Sequence, residues 1–130
     1  MELEFIIGKK ENIKNNNYNL EKKILENWIK IFDKYNKSNF SIIEKSTAYT
    51  TLTFYNYDLI RLKYSNNSKW IKLFLTKEDK LKHYNNPLFN AQSNKNELFW
   101  KAYITNTNDI NNYISIIENR CNEILNIINK

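Results

Sequence analysis

The chain is expected to fold as an α+β domain: an antiparallel sheet of about four strands, a three-stranded meander plus one, packed against an N-terminal helix and a long C-terminal helix. Three observations predict it. Apolar residues recur at steps of three and four near both ends, they alternate at period two through the middle, and the central strands follow one another through short connections. At 130 residues, 42% apolar and 15% aromatic, the chain can build one ordinary core, so residues 1–130 read as a single domain.

Residues 1–18 carry the weakest pattern: Glu2 to Gly8 reads as a short strand and Glu11 to Asn19, rich in Asn and Lys, as a loop. Leu20, Ile24, Trp28, Ile31 and Tyr35, with Leu25 and Phe32 beside them, give residues 20–36 an apolar face at helical period. Asn19 suits the N-cap and Glu21 the first turn. Thr50, Leu52 and Phe54 then alternate with Tyr49, Thr51, Thr53 and Tyr55; Ile60, Leu62 and Tyr64 with Arg61 and Lys63; and Ile71, Leu73 and Leu75 with Trp70, Lys72 and Phe74.

Asn66-Asn67 reads as a two-residue hairpin turn, because Asn tolerates positive φ. That turn sets Leu62 opposite Ile71 and Ile60 opposite Leu73 on one face, with Lys63 opposite Trp70 and Arg61 opposite Lys72 on the other. A loop of about three residues at Asn56-Tyr57-Asp58 would bring Leu52 and Phe54 to the greasy side. Thr76-Lys77-Glu78-Asp79 looks like a capped helix start, predicting a short helix over 77–84 that Asn85-Asn86-Pro87 ends. Residues 90–96 read as a polar loop and 97–104 as the fourth strand. A long helix over 109–128 closes the chain, with Ile110, Tyr113, Ile114, Ile117, Cys121, Ile124, Leu125 and Ile128 as its stripe. That stripe fits its own sheet or a second copy, so monomer and homodimer both stand.

The formal charge is +6, from 20 basic and 14 acidic residues, shared about equally between the halves with no basic tail. Abundant Asn, Lys and Ile with scarce Arg, Gly, Pro and Ala is also what AT-rich coding imposes. The excess favours an anionic partner, nucleic acid or an acidic protein surface. One cysteine cannot form an intrachain disulfide, and the acidic start with its short Phe5-Ile6-Ile7 run resembles neither a signal peptide nor a membrane span. A cytoplasmic protein without membrane contact is expected.

Several chemistries lack their residues. With one Cys121 and one His83 the chain cannot supply a four-ligand zinc site, and with Gly8 alone it has no phosphate-cradling glycine loop; no cofactor is expected. Cys121 falls on an apolar stripe, where a thiol is ordinarily a small hydrophobe rather than a nucleophile. His83, amid Lys80 and Lys82, reads as a surface residue favourable to a helix C-terminus. Asp58 and Glu78-x-Lys80 match the loose pattern of a metal-dependent nuclease, but Glu78 falls where a capped helix begins rather than on a strand. A non-catalytic protein is the stronger expectation.

The outer side of the meander gathers Tyr49, Thr51, Thr53, Tyr55, Arg61, Lys63, Trp70, Lys72 and Phe74, with Lys101 and Tyr103 extending it. Rings interleaved with cations on an open sheet are what single-stranded nucleic acid or RNA requires, because bases stack on rings while cations neutralise phosphates. Tyr49, Tyr55, Arg61, Lys63, Trp70, Lys72, Phe74 and Lys101 are therefore the candidate binding residues. Two plainer arrangements compete. Lys63 can pair with Trp70 as a cross-strand cation-π contact of about 0.5 to 1 kcal/mol, and the first helix can cover Trp70 and Phe74 as a second core. A different class of function also fits: an inhibitor encoded by a phage or mobile element, binding a host defence nuclease or its guide RNA complex through exposed Tyr, Trp and Phe.

Leu59-Ile60-Arg61-Leu62-Lys63-Tyr64, Lys69-Trp70-Ile71, Asn86-Pro87-Leu88-Phe89, Asn94-Lys95-Asn96 and Phe99-Trp100-Lys101 together resemble a small bacterial domain found joined to exonuclease-type domains, over residues 48–128. The element order also resembles the YjbR-like double-wing family, for which DNA binding has been proposed. Neither resemblance carries functional residues across; each implies nucleic acid by association.

Overall fold

The structure, a computed structural model, describes residues 15–89 and 98–130. The strand expected at Glu2 to Gly8, most of the loop after it and the loop at 90–96 lie outside these residues.

Helix α1 spans Tyr18–Ile29, with Asn17 at its N-cap and Ile24, Leu25 and Trp28 on its buried face. The expected N-cap, Asn19, is inside the first turn. Beyond Ile29 the chain goes on in tight turns, Phe32 N–H bonding Ile29 and Tyr35 N–H bonding Phe32, so the helix is shorter than the stripe to residue 36 predicted. Phe32 and Tyr35 still point inward, because each turn advances the chain by about the same three residues that bring a helix face round. Phe32 is fully buried and stacks on Phe40 at 6.4 Å.

Five strands follow, β1 Phe40–Ile43, β2 Thr50–Phe54, β3 Tyr57–Tyr64, β4 Lys69–Phe74 and β5 Phe99–Tyr103, each antiparallel to the next in sequence order. The sheet has one strand more than expected. Helix α2, Lys77–Lys82, begins at Thr76, whose hydroxyl accepts the Asp79 N–H, the cap that its sequence announced. The last helix is divided. A 3-10 segment, Thr107–Asn112, is held by the Asn106 and Asp109 capping box, and helix α3, Ile114–Ile128, starts only after Tyr113, whose φ of -123° interrupts the spiral. Asp109 accepts the Thr105 N–H at 2.7 Å and the Thr105 hydroxyl at 3.0 Å, and these bonds hold its carboxyl below the usual range. No helix among the described residues is long and apolar enough to cross a membrane.

The β3–β4 hairpin has the expected register, Leu62 opposite Ile71, Ile60 opposite Leu73 and Lys63 opposite Trp70. Its turn works by other means. Positive φ among the described residues is confined to Tyr55 (49°) and Asn56 (67°), so Asn66 and Asn67 turn without it, closed by the Ser65 N–H to the Ser68 carbonyl at 2.9 Å. Tyr55-Asn56 instead forms the β2–β3 connection, replacing the loop expected at Asn56-Tyr57-Asp58. Two positive-φ residues match the right-handed twist of the flanking strands.

This shorter turn has a consequence for parity. Phe54 faces Tyr57 and Thr53 faces Asp58, a register that, continued, would set Leu52 against Leu59 and turn Ile60 and Leu62 outward. A bulge at Leu59 restores Leu52 opposite Ile60, and Leu59 and Ile60 are both buried. One extra residue keeps the greasy face continuous.

The helices share that face. α1 lies over β1 to β3 and α3 over β3 and β4, and Leu52, Ile60, Leu62, Ile71, Leu73 and Trp100 form one cluster with Ile24, Trp28, Ile117, Cys121 and Ile124. A polar anchor lies at its edge. Glu21, fully buried, accepts the Asn15 side-chain amide at 2.6 Å, the Thr50 hydroxyl at 2.7 Å and the Tyr64 N–H at 2.7 Å, tying α1 to β2 and β3. Glu21→Ala takes the acceptor from the Thr50 hydroxyl and the Tyr64 N–H, and one of two acceptors from the Asn15 amide, and is expected to cost about 3 kcal/mol in urea unfolding. A loss below about 1 kcal/mol would show that apolar packing alone sets α1 on the sheet.

Candidate functional site

Two rows of side chains cross the face of the sheet turned away from the helices. Thr51, Arg61, Lys72 and Lys101 are aligned by register on β2 to β5, and Lys63, Trp70 and Tyr103 on β3 to β5, with Tyr49, just before β2 begins, against Trp70 and Arg61. Successive same-face residues on one strand stand about 7 Å apart, so the rows are close neighbours.

Trp70 is the centre of the arrangement. Its ring lies 6.0 Å from Tyr49, the Lys101 ammonium is 4.9 Å from its centroid and the Lys72 ammonium 5.5 Å. Lys63, expected to be its cation-π partner, faces it in register but is not the cation on its ring; Lys72 and Lys101 take that place. Lys101 also lies 5.0 Å from Tyr103, which is 60% exposed. The first helix does not cover this group, because its buried residues belong to the cluster on the other face.

Arg61 is embedded rather than free. Its guanidinium carbon is 3.9 Å from the Phe99 centroid and 5.2 Å from that of Tyr49, its Nη2 is 3.5 Å from Asp58, and its Nε is buried without a hydrogen-bond partner. Asp58 also holds the Lys45 ammonium at 3.0 Å. Among the described residues Lys63, Lys72 and Lys101 have no carboxylate partner.

Two expected residues stand apart. Tyr55 sits in the β2–β3 turn, packed edge-on to Phe54 at 4.8 Å with its hydroxyl accepting the Asn39 amide at 2.8 Å, so the alternation that assigned it to the face ends one residue earlier. Phe74 lies at the margin, edge-on to Phe99 at 5.2 Å and beneath the guanidinium of Arg120, 3.7 Å away, which α3 delivers. Sequence reasoning missed Phe99 and Arg120. Phe99 was within reach, since β5 alternation puts it on the side of Lys101 and Tyr103; Arg120 gave no signal, because a polar residue beside an apolar helical stripe normally faces water.

The catalytic candidates are placed elsewhere and apart. Asp58 is engaged by two cations on the sheet, while Glu78 lies exposed in the first turn of α2. Among the described residues no group of three or more His, Cys, Asp or Glu is placed to hold a metal ion. His83 is less solvated than expected: it caps α2 with its ring half-buried, Nδ1 3.0 Å from the Asn86 amide nitrogen and Nε2 3.7 Å from Asp79. An amide nitrogen donates, so Nδ1 accepts and the ring proton resides on Nε2, facing Asp79.

Compared with known proteins, the chain matches no family model, no curated protein and no solved structure. Its chemistry has to be read from its own residues.

Burial pushes the Cys121 thiol up to about 12, with Glu118 adding to the effect, and Tyr35 is raised to about 12 by burial and its anionic neighbours. A thiol that ionises near 9 in the unfolded chain and near 12 in the folded one favours the fold below pH 9 and loses that advantage as pH rises through 9 to 12. Over this window the thiol should lower stability by up to about 1.4 kcal/mol per pH unit. Urea unfolding of Cys121→Ala should show a correspondingly shallower decline than the parent; equal slopes would place the thiol in contact with water.

Proposed function

We propose that the outer face of the sheet is a non-catalytic binding surface for single-stranded nucleic acid. The observation that carries this reading is the placement of three lysines, without carboxylate partners among the described residues, around the Tyr49, Trp70 and Tyr103 rings on one sheet face. Rings offer stacking to any unpaired base, and ammonium groups one register step away neutralise the phosphates between bases.

A single strand suits this face better than a duplex, whose bases present only their edges in the grooves. The internal cation-π contacts are weak competitors. Each is worth about 0.5 to 1 kcal/mol at an exposed site, against about 1 to 3 kcal/mol for a base on an aromatic ring. An acidic protein surface would meet the same lysines, but the rings at the centre of the cluster add most to a partner with π faces of its own. Arg61, held between two rings and a carboxylate, positions Tyr49 and contributes little free charge.

Trp28 and Trp100 are buried, so fluorescence quenching by added ligand reports on Trp70. A short oligo(dT) or oligo(U) strand should quench it at low salt. Three neutralised phosphates predict a slope of log affinity against log salt of about -2. Trp70→Ala combined with Lys101→Ala should abolish binding while leaving the far-UV circular dichroism unchanged. Absence of binding by the parent at low salt would refute the proposal.

A further inference from the structure

The cross-strand pair of Trp70 and Tyr103 has an occupant already, the ammonium of Lys101. Trp70 is braced on its β2 side by Tyr49, which Arg61 supports in turn. Towards β5 its register partner is Tyr103, and Lys101 reaches both rings, 4.9 Å from one centroid and 5.0 Å from the other. Among the described ring pairs these two do not touch directly; the cation joins them. Tyr103 is 60% exposed, so its ring can swing without disturbing the core.

We infer that Trp70 and Tyr103 form a slot for one unstacked base, filled in the free protein by the Lys101 ammonium, which moves to the adjoining phosphate when the base enters. The inference rests on the binding surface proposed above. An ammonium over a ring and a base against it use the same π face, so the two exclude one another there. The displaced group does not lose its stabilisation, because a lysine is a point charge on a flexible four-carbon stem and a phosphate lies beside every base. Lys101 occupies the cation row one step along β5 from Tyr103, so a short swing takes it from ring to backbone.

Two strands of equal length and charge separate this slot from simple charge attraction: oligo(dT) and the same backbone carrying abasic sites. The parent should bind the abasic strand at least about fivefold more weakly, the lower end of what losing one base from an aromatic ring does. In Tyr103→Ala that discrimination should shrink sharply, through weaker binding of oligo(dT) alone. Lys101→Met, which keeps the stem and removes the charge, should retain the discrimination while the salt slope flattens by about 0.7. Equal affinity of the parent for both strands, with steep salt dependence, overturns the slot and leaves the binding surface standing. An unchanged salt slope in Lys101→Met overturns the move to phosphate. Failure of the parent to bind either strand at low salt removes slot and surface together.

Discussion

A strand displaced by one residue turns every side chain to the opposite side of its sheet, and the two faces of this protein depend on a single extra residue at Leu59. The Tyr55-Asn56 turn is two residues long because that length, with positive φ, matches strand twist. Without compensation it would carry Ile60 and Leu62 into solvent and Arg61 and Lys63 into the core. The bulge absorbs the mismatch at the third residue after the turn, and from there the alternation of β3 dictates that of β4 and β5 through the ladder. The core and the row of cations are consequences of the same correction.

One covered face then sets the character of the other. α1 and α3 lie side by side over the greasy face, and Glu21 holds α1 in place by gathering donors from three segments. The outer face has to be built from side chains that tolerate water while shielding the backbone beneath. Thr51 and Thr53 are nearly inaccessible there. Long lysine stems and aromatic rings suit such shielding, because each has an apolar body and a polar or π surface to present outward.

Much of this was legible in the chain and some was not, for identifiable reasons. Strict alternation over β3 and β4, with polar residues between them, carried the central register, even though the asparagines turn without positive φ. β1 escaped because four residues, two of them consecutive isoleucines, offer too little alternation to be distinguished from a loop. The bulge is invisible in principle: periodicity is read strand by strand, whereas a bulge is a relation between two strands. Glu21 lies in the first helical turn as expected, but its burial was not legible, since an acid there already has a sufficient role with the dipole and its partners on the sheet come from 29 and 43 residues away. Of the candidate face, Tyr49, Arg61, Lys63, Trp70, Lys72 and Lys101 were brought together as the alternation implied, and Tyr55 was lost where the alternation stopped.

The division of labour between the two kinds of cation follows from their chemistry. The chain has only two arginines, Arg61 and Arg120, and both are built into one stack: Arg61 on Phe99, Phe99 edge-on to Phe74, Phe74 under Arg120. A guanidinium is planar and weakly hydrated, so it can lie against a ring with part of its polar edge buried, as the unpartnered Nε atoms of both residues show. This stack joins the margin of the outer face to α3, which otherwise packs on the opposite side. The lysines of the outer face, strongly hydrated and flexible, stand half-buried with no carboxylate partner among the described residues. An exchange of the two types would be doubly unfavourable: a buried ammonium would lose hydration that rings cannot replace, and a guanidinium at position 101 would lie flat on Trp70 and cover its ring.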